Sequence, residues 1–287
     1  MSELTSLNIL ISLYKGYGLG DAVQMSSVLK HVRKYRPHWI IDYQAQEGQY
    51  ECGRGIVHNV FPYGITSYPT PKYDGEVQIK LYDIWANWTD RPNTRVTSAL
   101  HGVFDIPWDK ELARYEVNVS QSVHNWAVKV IPKKSVAYHY EGVTATDKKN
   151  LTDEQVIRIR EVIQYLGYHP YKMGKNIPQG YSAEVNCAII SQCDAFIGID
   201  SGPGKCASAT DTPSLIIWTG HHPAAYHDPA PNTTHLVPHN YHSMFPVCNH
   251  EEVIQWFEDN YKIRKYDPED NKNLISNVHM WLSEVLK

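Results

Sequence analysis

Two glycine-rich turns, each placed between an apolar strand-like run and a segment with helical periodicity, constrain the fold of this chain most strongly. The first run, Asn8 to Leu13, leads into the turn Gly16 to Asp21 and then into apolar residues at helical spacing as far as Pro37. The second run, Ala195 to Asp200, leads into the turn Ser201 to Gly204 in the same way. A strand, a tight turn and a helix in this order form the unit from which parallel sheets are built.

Each turn belongs to a longer alternating set. In the first set, further strands are predicted at His38 to Tyr43 and at Glu76 to Ile84. In the second set, strands are predicted at residues 135–140, 169–173, 195–200 and 214–218. Helices are predicted between them at 152–166 and 182–193, with a short one after the second glycine turn, and two more follow at 250–261 and 268–286. We therefore predict an α/β protein with one domain at residues 1–125 and another at 134–262, joined by a linker within 121–134.

Composition narrows the class of protein. The chain has 287 residues, of which 42% are hydrophobic, so it is long enough to bury a full core. It contains no run of 18 apolar residues and no basic segment ahead of its first apolar stretch, so we expect neither stable membrane insertion nor secretion, and a cytoplasmic location. Five cysteines, an odd number without CxxC spacing, predict reduced and buried thiols.

Charge argues against a general nucleic-acid binder. The formal net charge is −4, from 27 basic and 31 acidic residues. A local basic surface still leaves DNA open as a partner; it comprises Lys30, Arg33, Lys34 and Arg36.

The second turn has the chemistry of an anion site. Asp200 stands at the carboxyl end of a predicted strand, where parallel sheets bind ligands. Gly202 and Gly204 would let the backbone approach a ligand and adopt conformations forbidden to other residues, Pro203 would stiffen the turn, and Lys205 adds a positive charge. We predict that the turn binds a phosphate or diphosphate, with Asp200 accepting hydrogen bonds from ligand hydroxyls. A purely structural glycine turn is the alternative.

The first turn differs from a dinucleotide fingerprint. Asp21 occupies the position three after Gly18 where GxGxxG has its last glycine, and Gly20 precedes it. A carboxylate at a helix N-terminus repels phosphate, so Asp21 is better suited to accepting a proton from a hydroxyl. Its alternative role is that of a helix cap.

The two motifs together resemble the family 9 glycosyltransferases, whose best-known members are ADP-heptose:lipopolysaccharide heptosyltransferases. The residues that carry the resemblance are GYGLGDAVQMSSVLKHVRKYRP near the start and CDAFIGIDSGPGKCASATDTPSLIIWTG near residue 200. The resemblance implies a GT-B fold, in which two Rossmann-like domains face each other across a cleft, and inverting sugar transfer without a metal or other cofactor. Both turns should then open on the same cleft.

The same resemblance implies roles for individual residues. It makes Asp21 the catalytic base, on an acceptor-side loop with Gly18 and Gly20, and it places the donor at Asp200, Ser201, Gly202, Pro203 and Gly204. The donor-contacting lysine of the family is matched loosely by Lys148 or Lys149, and Lys205 stands where the family usually has a histidine. We expect Lys205 to stabilise the departing diphosphate. The last segment, 263–287, is expected to return to the N-terminal domain and to make the linker a hinge.

Fifteen histidines raise the question of a metal site. His221, His222 and His227 cluster in GHHPAAYH, and further histidines follow up to His242, but no HExxH pattern or carboxylate at ligand spacing accompanies them. We therefore predict no metal site, and expect His221 and His222 to lie at the edge of the donor pocket.

Three functions remain open from the sequence. The first is a glycosyltransferase acting on a nucleotide-diphosphate sugar, with a glycan, a protein or a modified nucleobase as acceptor. The second is a GT-B enzyme of other chemistry, such as a sugar-nucleotide epimerase or a transferase for modified bases in DNA. The third is a nucleotide-sugar binding protein without catalysis.

Overall fold

A computed structural model describes residues 6–14, 18–45, 50–56, 60–62, 73–80, 95–142, 149–174 and 180–287. Ten strands form two sheets in these residues, and all the pairings between neighbouring strands are parallel. The first sheet contains β1 (Leu7–Tyr14), β2 (Trp39–Ala45), β3 (Val60–Pro62) and β4 (Gly75–Lys80), in the order β3-β2-β1-β4. The second contains β5 (Ser135–His139), β6 (His169–Lys172), β7 (Ala195–Ile199), β8 (Ser214–Ile217), β9 (Thr233–Pro238) and β10 (Lys262–Tyr266), in the order β10-β9-β8-β7-β5-β6.

Nine α-helices connect or cover these strands within the described ranges. They are α1 (Leu19–Tyr35), α2 (Arg95–Ala99), α3 (Gln121–Val130), α4 (Asp153–Tyr165), α5 (Ala183–Ile190), α6 (Gly202–Ser208), α7 (Pro223–Tyr226), α8 (Glu251–Asn260) and α9 (Asn271–Val285). Each helix of the described part is too short or too polar to cross a bilayer. Parallel sheets with connecting helices confirm the predicted α/β class.

Local signals placed most of these elements. Thr152 Oγ1 accepts the Gln155 N–H at 3.2 Å while Gln155 Oε1 accepts the Thr152 N–H at 2.9 Å, so the predicted capping box starts α4. Every residue of β7 is buried, as expected for a central parallel strand. The sequence prediction missed β9 and β10, because β9 lies in the histidine-rich stretch and β10 reads as the charged segment KIRKY. The predicted strand at 76–84 is described only as far as Lys80.

One hydrophobic core joins the two halves of the molecule. It contains Ile11 of β1 and Val23 of α1 together with Ile189 of α5, Phe196 of β7 and Trp218. Every residue of α1 from Ala22 to Leu29 is buried, so this helix lies inside the protein rather than on its surface. The division into domains at residues 125 and 134 stays a prediction.

In the part of the chain that the structure describes, the last helix packs on the C-terminal sheet rather than on the N-terminal half, which differs from the prediction for residues 263–287. Leu274, Val278 and Trp281 of α9 are buried in a second hydrophobic cluster with residues of the C-terminal sheet. Trp281 Nε1 also donates a hydrogen bond to Thr234 Oγ1 of β9 at 3.2 Å. The physical reason is that β10, which precedes α9, is the edge strand of the C-terminal sheet. The apolar side of α9 therefore packs on a face of that same sheet.

The predicted linker at 121–134 also has structure of its own. Its residues from Gln121 to Val130 form α3, which leaves only four residues between this helix and β5. A hinge would have to lie in these four residues, and hinge motion stays a prediction.

Candidate functional site

The carboxylate of Asp200 is the centre of a buried charged cluster. Lys205 Nζ lies 2.8 Å from its Oδ1 atom, Lys149 Nζ lies 2.9 Å from its Oδ2 atom, and His221 Nδ1 lies 3.4 Å from Oδ2. Burial alone would raise the pKa of Asp200, but Lys205 and Lys149 hold that pKa well below its usual range. Asp200 is therefore ionised and fixes both lysines. We call these four residues the Asp200 cluster.

The Asp200 cluster carries more positive than negative charge. Two lysine ammonium groups face a single carboxylate, and the Lys205 side chain is only 8% exposed. Charge that is excluded from water interacts strongly with an incoming ion of opposite sign. The cluster is thus suited to binding an anion. The predicted hydrogen bonds from ligand hydroxyls to Asp200 would compete with two ion pairs.

The turn after β7 is held by two side chains. Ser201 is the N-cap of α6, and its Oγ atom accepts the Gly204 N–H at 3.4 Å. His139, the last residue of β5, has its Nδ1 atom 3.0 Å from the same Oγ. Burial lowers the pKa of His139 to about 4, so the ring is neutral at pH 7 and Nδ1 can accept a hydrogen bond from the Ser201 hydroxyl. Sequence reasoning missed His139, although it ends the strand next to β7.

The glycines of this turn are needed for space. A Cβ atom at Gly204 would lie 2.9 Å from the Ile199 carbonyl oxygen, and one at Gly202 would lie 2.7 Å from Leu19 Cβ at the start of α1. Neither glycine has a positive φ angle, so the prediction that they adopt backbone conformations forbidden to other residues is wrong at these two positions. Gly204 is needed because the Ile199 carbonyl oxygen lies close to it, and Gly202 is needed because α1 lies close to it.

The two glycine turns meet. A Cβ atom at Gly20 would lie 3.3 Å from Lys205 Cδ and 3.4 Å from Gly202 Cα. The N-terminus of α1 therefore lies against the N-terminus of α6, beside the Asp200 cluster. That both turns open on one cleft stays a prediction.

Asp21 has a structural role in this arrangement. Its Oδ2 atom accepts the Gly18 N–H at 3.0 Å, which caps the first turn of α1. The capping alternative raised by the sequence is thus present, and a role of Asp21 as catalytic base stays a prediction. The Asp21 residue is partly exposed.

Of the two candidate lysines before α4, the structure describes only Lys149. Lys148 lies outside the described residues, whereas Lys149 reaches the Asp200 carboxylate directly. The structure thus brings Lys149 into the cluster.

Three histidines that follow β8 belong to the core, namely His222, His227 and His235. His221 lies in the Asp200 cluster, but His222 is fully buried against Tyr241 and Phe257, which corrects its predicted place at the edge of a pocket. Its Nδ1 atom accepts the Ala224 N–H and so begins α7, and burial lowers its pKa to about 3. The described residues contain no group of three or more histidine, cysteine, aspartate or glutamate side chains that could hold a metal ion.

The predicted basic surface is largely paired within the chain. Lys30 lies 3.5 Å from a Glu116 oxygen, and Lys34 lies 2.5 Å from an Asp109 oxygen. Arg33 donates to the Ile56 carbonyl oxygen. These pairings leave the DNA alternative without a supporting observation. All five cysteines are buried and none forms a disulfide, as predicted.

Comparison with solved structures shows which proteins share this fold. A family 9 glycosyltransferase from Veillonella parvula is similar over 99% of this chain and 98% of its own, with a TM-score of 0.66 at 13% identity. The E. coli ADP-heptose LPS heptosyltransferase II is similar over 96% and 99%, with a TM-score of 0.60 at 12% identity. The E. coli heptosyltransferase WaaC with ADP is similar over 88% and 99%, with a TM-score of 0.52 at 13% identity. These matches confirm the predicted GT-B class of α/β fold.

Sequence comparison adds nothing to this result. No protein-family model matches the chain, and no curated protein is detectably similar to it in sequence.

Proposed function

We propose that the protein is an inverting, metal-independent glycosyltransferase that moves a sugar from a nucleotide-diphosphate sugar to an acceptor hydroxyl. The observation that carries the proposal is the position of the Asp200 cluster, with its excess positive charge, against Gly20 at the start of α1. A donor diphosphate bound there would lie beside the turn that holds Asp21. The similarity of the fold to glycosyltransferases supports the same assignment.

The donor would be held by the two lysines of the cluster. Lys205 and Lys149 are already oriented by Asp200, so they need little rearrangement to meet the diphosphate. Negative charge grows on the diphosphate as the bond to the sugar breaks, and fixed ammonium groups stabilise that charge. This is the task that a metal ion performs in other enzymes. Ser201, Gly202, Pro203 and Gly204 would shape the same subsite.

The acceptor would be activated by Asp21. In an inverting transfer the acceptor hydroxyl attacks the sugar carbon on the face opposite the leaving diphosphate, and a base removes its proton. The hydrogen bond from the Gly18 N–H orients the Asp21 carboxylate for this role. The acceptor is proposed to be a glycan, a protein or a modified nucleobase.

Binding and transfer in the absence of metal test the proposal. ADP, the ligand in the WaaC structure, and ADP-heptose are the first compounds to assay, followed by other nucleotide sugars. We expect a nucleoside diphosphate to raise the melting temperature in EDTA, because a ligand of the native state stabilises it. Alanine at Lys205 should abolish most of that rise, whereas alanine at exposed Lys262 should not.

Two results would contradict the proposal. A strict requirement for added Mg²⁺ or Mn²⁺ would remove the assigned role of Lys205. Binding without transfer to any acceptor would favour the third function, a non-catalytic nucleotide-sugar binder.

A further inference from the structure

An exposed aromatic ring lies beside the Asp200 cluster. Phe245 is 45% exposed and Val247, two residues on, is 55% exposed. The backbone of Phe245 is fixed, because its N–H donates to the Gly220 carbonyl oxygen at 3.1 Å and its carbonyl oxygen accepts the His222 N–H at 2.8 Å. The ring is therefore presented at a defined position rather than on a loose loop.

A continuous set of contacts connects Phe245 to the charged cluster. The centroids of the Phe245 and His221 rings are 6.1 Å apart, and His221 Nδ1 lies 3.4 Å from Asp200 Oδ2. His221 thus contacts both the carboxylate that holds the two lysines and the phenyl ring. One side chain, His221, therefore separates the charged cluster from an exposed apolar residue.

These two features match two parts of one class of ligand. A nucleoside diphosphate has an anionic end, a ribose and a planar aromatic base, in that order. We propose that Phe245 stacks on the base of a nucleoside diphosphate whose phosphates are bound by Lys149 and Lys205. The inference rests on the proposed function and deepens it by assigning the nucleobase subsite.

Stacking on an aromatic ring tolerates every base, since each base has a π face. Phe245 would therefore add affinity for nucleotides in general. Removing one such stacked ring weakens binding by about 5- to 150-fold in other base-binding proteins.

The experiment measures dissociation constants for ADP, GDP, UDP, ADP-heptose and inorganic pyrophosphate by calorimetry. Phe245→Ala should weaken binding of all three nucleotides by about 5- to 150-fold and leave pyrophosphate binding unchanged. Phe245→Trp should retain nucleotide affinity. Tyr165→Ala serves as a matched control, because it removes another aromatic ring, 83% exposed, from a different surface.

The outcomes separate this inference from the proposed function. Unchanged nucleotide binding in Phe245→Ala, with pyrophosphate still bound by the lysines, would overturn only the inference. An equal loss of pyrophosphate binding would also overturn it, because the substitution would then act through the cluster. Weaker binding of a nucleotide sugar alone would assign the ring to the sugar and overturn the base assignment. Absence of all binding by the unaltered protein would overturn both.

Discussion

At the scale of single residues, Asp21 combines a cap and a candidate base in one carboxylate. Asparagine retains an oxygen that can accept the Gly18 N–H, but it cannot take a proton from an acceptor. We therefore expect Asp21→Asn to reduce turnover by about 10²- to 10⁴-fold with donor affinity and melting temperature near those of the unaltered protein. Steady-state kinetics, donor titration and thermal unfolding measure the three quantities.

Asp21→Ala provides the contrast, because it removes the cap as well as the base. It should lose activity and also some stability, about 0.5–2 kcal/mol for a lost helix cap. Full activity in Asp21→Asn would reduce Asp21 to a cap.

His139 and Ser201 form a second pair that acts as a unit. Since Ser201 links His139 to the Gly204 N–H, either Ser201→Ala or His139→Leu breaks the same chain of hydrogen bonds. The two losses of unfolding free energy should therefore be non-additive, with a coupling of about 0.5–3 kcal/mol in a double-mutant cycle.

A matched pair of sites checks this coupling. Thr152 is also an N-cap, on α4, and its contacts are with Gln155 rather than with His139. Thr152→Ala should be additive with His139→Leu. Additivity of Ser201→Ala and His139→Leu as well would show that the 3.0 Å contact carries no energy.

At the scale of secondary structure elements, the contact between α1 and α6 depends on Gly202. A Cβ atom there would lie 2.7 Å from Leu19 Cβ, an atom tied directly to the backbone of α1. Gly202→Ala must therefore push the two helices apart, and we expect it to lower the unfolding free energy by about 1–3 kcal/mol.

The same displacement should weaken nucleotide binding, since Lys205 lies in the first turns of α6. Denaturant unfolding and nucleotide titration measure the two effects. Gly102→Ala is the control, because a Cβ atom at Gly102 meets no atom within 4 Å. An effect of Gly202→Ala as small as that of the control would refute the packing argument.

At the scale of the whole molecule, buried histidines make stability depend on pH. Burial lowers the pKa of His139 and of His227 to about 4 and that of His222 to about 3, and it holds the pKa of His235 well below its usual value. The unfolded chain has ordinary histidine pKa values near 6.5, so it binds more protons than the native state as the pH falls below that value. Acid therefore favours unfolding.

The predicted result is a steady loss of stability between about pH 6.5 and pH 4.5. Each buried neutral histidine contributes a loss of about 1.4 kcal/mol per pH unit in this range. Urea unfolding at several pH values measures the slope, and above pH 7 the histidine contribution should vanish. Equal stability at pH 7 and pH 5 would mean that these rings are protonated in the native state.

Sequence reasoning identified some residues of the candidate site and missed others. It identified Asp200, Lys205 and the glycines because each lies within a few residues of one turn, where strand ends and missing side chains are visible locally. It left the choice between Lys148 and Lys149 open, and it missed His139. It also assigned His222 to a pocket edge, because a histidine on a loop and one in a core are indistinguishable without knowing what packs on them.

The sequence by itself determined the repeated strand, turn and helix units and hence the parallel α/β class. Periodicity, capping residues and glycine turns act over a few residues, and they can be read without knowing the rest of the fold. Tertiary structure alone decided that Gly20 meets Gly202, that Lys149 and His221 converge on Asp200, and that α9 covers the C-terminal sheet. These contacts join segments far apart in the chain, and only the packing of the two sheets around their shared core brings them together.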